Sequence, residues 1–242
     1  MTATTLDQLR TALPADAARE LDDMLVTLAT SPDSIGRIFP AAARRTARGD
    51  IGLRDASGRT VLAEDAVRIA LMRAAFDQLS AERRTTEVAA LYRFGDSDEK
   101  RAVLLGLTEV DTQEAVGVLE DALRTNDTRL IGAAMGESAA HLDDDTWRQG
   151  VLKCLFVGVS LSAVADLDAR SDQALADMIA RYVHERIAAG RDVPVDVWRV
   201  LDRFPTSIEL AGIDAELNST HEDRRDAAQR LLAGRPTTTQ EV

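Results

Sequence analysis

Cysteine, histidine and aromatic side chains are all scarce in this sequence of 242 residues, and each scarcity excludes something. The one cysteine, Cys154, forbids an internal disulfide and removes every multi-cysteine zinc pattern. Three histidines leave little material for a histidine-rich metal site. Aromatics amount to 4%, too few to furnish base-stacking platforms or sugar-stacking clefts. Long apolar runs are also missing: the longest uncharged stretch, Cys154 to Ala165, has 12 residues, against the roughly 20 that cross a bilayer as helix. Positive charge is in deficit, with 29 basic against 41 acidic side chains and a net charge of −12. That balance opposes binding to nucleic acid or to an anionic membrane surface, both of which need clustered Lys and Arg. The opening residues Met1 to Asp7 show no basic segment leading into an apolar one, so the expectation is a cytoplasmic chain without membrane insertion.

What the sequence does have is helical period. Some 45% of its residues are hydrophobic, enough for a full core. Leu6, Leu9, Leu13 and then Leu21, Leu25, Leu28 recur at three- and four-residue steps around Pro14. Ser31-Pro32-Asp33 reads as one stop and a new start. Gly49 to Thr60, with three glycines, reads as a loop, and Leu62, Ala66, Ile69, Met72 and Phe76 mark a helix reaching about Ser80. Shorter helices follow at 83–94, 97–108, 112–124 and 128–140, with turns at Gly95-Asp96, Val110-Asp111 and Asn126-Asp127. Near the end come Trp198 to Phe204, Thr206 to Asn218 and Glu222 to Ala233. The segments starting at Ser97 and His221 share a charged first turn followed by small apolar residues, as second helices of HEAT-like pairs do. Alternating Val/Ile/Thr runs are absent, so no sheet is expected. The prediction is an all-α fold, an irregular stack of antiparallel helix pairs of HEAT-like or α-solenoid style. It forms one domain over 1–234: N-terminal helices at 1–80, HEAT-like pairs at 82–140, a C-terminal half at 143–233, and a disordered tail at 235–242.

Several chemical motifs fail on spacing. His184-Glu185 and His221-Glu222 begin like a metalloprotease helix, but Ala188 and Arg225 stand where its second histidine belongs. Asp143-Asp144-Asp145 resembles the start of a magnesium-binding aspartate motif, yet Trp147 and Arg148 occupy the positions of the completing carboxylate. The simpler expectation is a helix cap with acids in its first turn. Dinucleotide, P-loop and nucleophile-elbow patterns do not occur. Nothing implies a cofactor.

Two places do not read as plain core. On the helix 171–190, Leu175, Met178, Ile179 and Tyr182 share a stripe in which Arg186 falls near the centre, whereas His184 points the other way. A buried arginine needs a carboxylate, such as Asp168, or a ligand. On the helix 145–158, Trp147, Val151, Leu152, Leu155 and Phe156 cover more than half the circumference, which predicts burial on both faces. Lys153, with Gln149 one turn before it, then needs a carboxylate partner or a ligand, and Asp166, Asp168 and Arg170 in the following loop are the natural partners to test.

Between Arg124 and Arg199 the chain carries a run of short motifs. They are Trp147-Arg148-Gln149-Gly150-Val151-Leu152-Lys153-Cys154-Leu155-Phe156, Leu167-Asp168-Ala169-Arg170, Tyr182-Val183-His184-Glu185-Arg186-Ile187-Ala188-Ala189-Gly190-Arg191 and Val197-Trp198. In combination they resemble the EboA family; the first 120 residues resemble it in helical style alone. The resemblance implies metabolite traffic: export of a secondary-metabolite precursor from the cytoplasm, encoded in a bacterial gene cluster with a membrane prenyltransferase-like protein and barrel-fold partners. It supplies no catalytic residues. Where the family carries an aromatic- and proline-bearing stretch before the tryptophan, Gly136 to Leu142 is small and polar here, so any pocket shaped there differs.

The expectation is therefore a non-enzymatic accessory protein that binds a small metabolite or bridges cluster partners. Its candidate polar cluster is Trp147, Gln149, Lys153, Asp168, Arg170, Tyr182, His184, Glu185 and Arg186. Two alternatives stand beside it. One is a pure helical-repeat scaffold in which these residues are internal ion pairs. The other is an isoprenoid-processing enzyme using Asp143, Asp144 or Asp145 with magnesium.

Overall fold

The computed structural model describes residues 4–55, 58–109 and 112–236. It is predominantly helical and divides into two compact units, Met1–Leu142 and Asp143–Val242.

In the first unit, α1 (Leu6–Ala12) opens on a capping box in which Thr5 and Gln8 satisfy each other's backbone amides. Pro14 ends it and precedes α2 (Ala15–Thr30), whose Leu21, Met24 and Leu28 are fully buried. A single tight turn at Pro32–Ser34 leads into α3 (Ile35–Arg45). Next come β1 (Asp50–Arg54) and β2 (Thr60–Leu62), paired antiparallel with Asp50 opposite Leu62 and Arg54 opposite Thr60. This hairpin overturns the expectation that no sheet forms. Its glycines obscured a genuine two-residue alternation, in which Ile51 and Leu53 are part-buried between exposed Asp50, Gly52 and Arg54.

Helix α4 (Ala63–Phe76) follows without a break and is the centre of the unit, packed against α2, α3 and α6 (Ser97–Gly106). At the α4–α6 contact, a Cβ on Gly106 would crowd the methyl end of the Met72 side chain. The rest of the unit is α5 (Ala81–Phe94), α7 (Thr112–Arg124) and α8 (Thr128–Ala134), with tight turns at Leu107–Glu109 and Glu137–His141. The expected turn at Val110-Asp111 lies outside the described residues.

The second unit is built around α11 (Gln173–Ala188), capped by Asp172. Before it come α9 (Asp144–Val157) and the short α10 (Leu167–Arg170); after it come α12 (Trp198–Leu201), α13 (Pro205–Leu210), α14 (Ile213–Leu217) and α15 (Glu222–Ala233). The single helix expected over Thr206 to Asn218 is broken at Gly212, whose φ of 66° lies in the left-handed region. Burying Leu175, Ile179, Val183 and Ile187 on α11 contributes about 1.5–3 kcal/mol per side chain. At the end of the chain, Arg235 stacks 4.5 Å over the Trp198 ring and pairs with Asp202 at 2.7 Å. The remainder of the expected disordered tail, from residue 237, lies outside the described residues.

Candidate functional site

Among the described residues, the most deeply buried charges lie in the first unit, outside the motifs that carry the resemblance. Helices α4 and α6 both begin with acids in the first turn, Glu64 and Asp65 on one and Asp98 and Glu99 on the other, where the helix dipole favours them. Glu64, Asp65 and Glu99 are nonetheless buried, at 7%, 5% and 8% exposure. Buried carboxylates need compensation. Glu64 accepts the Gly49 amide at 2.7 Å, which anchors the start of the hairpin. Arg101, from α6, donates to both oxygens of Asp65 (Nε to Oδ2 at 2.9 Å, Nη2 to Oδ1 at 3.1 Å) and reaches Glu64 at 3.6 Å and Asp98 at 3.4 Å. Burial, opposed by Arg101, holds the Asp65 carboxyl above the ordinary carboxylate range.

Arg68, one turn further along α4, is 1% exposed. Its Nε donates to the Phe39 carbonyl at 3.3 Å, its plane lies 5.6 Å over the Phe39 ring, and Nη2 stands 3.7 Å from Glu99 Oε1. Nη1 has no acceptor among the described residues. A guanidinium offers five N–H donors, so Arg68 is under-used in a setting where each unmet donor costs on the order of 1–3 kcal/mol. On the neighbouring Arg101, by contrast, every guanidinium nitrogen has a carboxylate partner.

The polar residues expected to form a cluster in the second unit occupy several separate places. Trp147 is buried, with its indole N–H lacking an acceptor among the described residues and Arg170 stacked 4.7 Å over its ring. Arg170 also reaches Asp144 at 2.9 Å. Elsewhere, the half-buried Tyr182 hydroxyl donates to the Leu155 carbonyl at 3.2 Å, and burial raises its pKa. Arg186 lies 5.9 Å from the Tyr182 ring and donates from Nε and Nη2 to the Asp192 carbonyl, at 2.9 and 2.6 Å. The buried stripe of α11 is turned toward Ala176, Ala180 and Val183, so Arg186 sits on its border instead of its centre. Asp168 is exposed and meets Arg203 at 3.7 Å. Gln149, His184 and Glu185 are exposed, and Lys153 is part-buried. Phe156 is 69% exposed, so α9 is not buried on both faces as its composition implied.

The three consecutive acids each have a separate task. Asp143 caps α9 by accepting the Thr146 amide at 2.7 Å, Asp144 pairs with Arg170, and Asp145 pairs with Arg148 at 2.7 Å. Among the described residues no group of three or more His, Cys, Asp or Glu is placed to hold a metal ion. No helix there is long and apolar enough to cross a membrane. Cys154 is fully buried, which pushes its thiol up to about 12.

A family model described as "Metabolite traffic protein EboA" matches residues 60–202, more than half of the chain. The matched span takes in α4 and α6, and with them the whole Arg68–Arg101 centre, where the sequence showed a likeness of helical style alone. No curated protein and no solved structure matches the chain.

Proposed function

From the premise that this chain belongs to the EboA family, a family of metabolite traffic proteins, we propose that it is a non-catalytic accessory protein that holds a small polar metabolite. The observation that carries the reading is Arg68: a fully buried guanidinium with an unmet donor, inside the matched span, beside an arginine whose three nitrogens each have a carboxylate partner. A residue serving packing alone gains nothing from unmet donors, whereas a binding residue keeps them for its ligand. In this reading the protein works in the cytoplasm without a cofactor. It passes a secondary-metabolite precursor toward a membrane prenyltransferase-like protein of its bacterial gene cluster. The test is native mass spectrometry of the full chain produced together with its cluster neighbours. A bound mass that disappears on denaturation supports the proposal; a chain always found at its sequence mass overturns it.

A second reading, a helical scaffold of HEAT-like style that bridges cluster proteins, is favoured by the outer surface of the second unit. There Glu185 and His184 are exposed on α11 between motif residues that are already tied down, Tyr182 and Arg186. Glu185→Lys should then abolish capture of the membrane protein while leaving any bound metabolite in place. Unchanged capture would remove this reading.

A further inference from the structure

We infer that the Arg68 site takes a neutral oxygen acceptor, a carbonyl or hydroxyl group of its ligand, and rejects carboxylates and phosphates. The inference rests on the small-molecule reading above and adds the chemical class. Its ground is a charge count at the buried centre. Among the described residues, the carboxylates of Glu64, Asp65 and Glu99 face the guanidiniums of Arg68 and Arg101. The buried part of this centre, three carboxylates against two guanidiniums, is therefore already negative; Asp98, a quarter exposed, is met by Arg48 and Arg129 as well as by Arg101. Arg101 is engaged by Glu64, Asp65 and Asp98 together, so its charge is already outweighed by its own carboxylates.

Arg68 offers the free Nη1 hydrogens, but Glu99 stands 3.7 Å from the same guanidinium. An anion placed on Nη1 would meet that carboxylate at short range in a poorly screened interior. A carbonyl or hydroxyl oxygen can accept from Nη1 without adding charge, and the Phe39 ring beside the guanidinium supplies an apolar wall for the rest of the group. Because the site is buried, entry requires local opening of the chain around α4.

Acetamide and acetate test this, since they share a shape and differ in charge. Titration of each into the full chain at constant ionic strength is followed through the Arg68 Nε–H resonance. Acetamide is expected to shift the signal saturably, with acetate at least about tenfold weaker. Glu99→Gln removes one negative charge yet keeps the capping box of α6, since glutamine serves there too. It should bring acetate up to the level of acetamide. Acetate binding as well as acetamide in the parent chain would overturn the inference, as would an unaltered preference in Glu99→Gln. If neither probe moves the signal while the chain still purifies with a bound molecule, the assignment to Arg68 fails and the functional reading survives. If no molecule is bound either, both fall.

Discussion

Replacing Arg101 by methionine tests the electrostatic account of the first unit most directly. The substitution keeps most of the side-chain volume and removes the cation that bridges Asp65, Glu64 and Asp98. The side chains of Arg101 and Asp65 are 12% and 7% exposed, so solvent screens the pair little. Breaking a buried pair by deleting one partner costs about 3–5 kcal/mol, chiefly because the remaining charge is stranded. Part of that cost is relieved by protonation. Burial already holds the Asp65 pKa above its ordinary 3.8 in the folded state, with Arg101 opposing the rise; without Arg101 it climbs further. A folded-state pKa above the unfolded one gives stability that is present at low pH and lost as pH rises through the folded value. The deficit of Arg101→Met relative to the parent should therefore be largest near neutrality and shrink on acidification, by at most about 1.4 kcal/mol per pH unit for the one proton. Urea unfolding followed by far-ultraviolet circular dichroism at a series of pH values reads both quantities. A deficit below about 1 kcal/mol at neutral pH, or one that does not change with pH, would refute the reasoning. Adding Asp65→Asn to Arg101→Met should recover part of the loss, since no stranded Asp65 charge remains.

Other outcomes follow from the same geometry. Gly106→Ala sets a Cβ against the methyl end of the fully buried Met72 side chain and should lower stability by about 1–3 kcal/mol, through a displaced Met72; an unaltered melting temperature would contradict this. Gly212→Ala forces a left-handed backbone on alanine and sets its Cβ 3.0 Å from His184 Nδ1, so a loss of about 1–2 kcal/mol is expected in the same assay. Cys154, with its thiol near 12 and no exposed surface, should resist iodoacetamide at pH 8 until the chain unfolds; rapid labelling of the native chain would contradict its placement. The fully buried Ser207 donates to Asp177 at 2.7 Å and is the main cause of its lowered pKa, so Ser207→Ala should move that carboxyl back up, as read by NMR titration.

The sequence made the helices legible because the signals there are local. Three- and four-residue apolar spacing located α2, α7 and α15, the last two with both ends as expected, at 112–124 and 222–233. The hairpin escaped because Gly49, Gly52 and Gly58 outweighed the alternation of Ile51 and Leu53, which spans one short strand. The border position of Arg186 escaped because Ala176 and Ala180 weigh little on a helical wheel yet form the buried stripe of α11. Arg68 could have been found: it lies between Val67 and Ile69 in a helix otherwise rich in Ala, Val, Leu and Met. Its surroundings could not, since Phe39 and Glu99 are 29 and 31 residues away along the chain. Nothing in a single sequence announces pairings at that range.

The contrast between the two buried arginines separates what holds this fold from what the fold is free to use. Buried ion pairs are poor sources of net stability, because desolvation consumes most of the attraction, and apolar replacements of similar volume often do as well. Their value lies in fixing one arrangement, and Arg101 does that: it ties the first turns of α4 and α6 together and, through Glu64 and its Gly49 contact, sets where the hairpin begins. Arg68 does little of this, with one hydrogen bond to a carbonyl and a loose approach to Glu99. If it were there for packing, methionine would fill the same volume beside Phe39 at no desolvation cost. If it were there for structure, its donors would be spent as those of Arg101 are. What remains is a charge kept dry with donors in reserve, and that reserve is the feature the proposed binding of a polar guest would use.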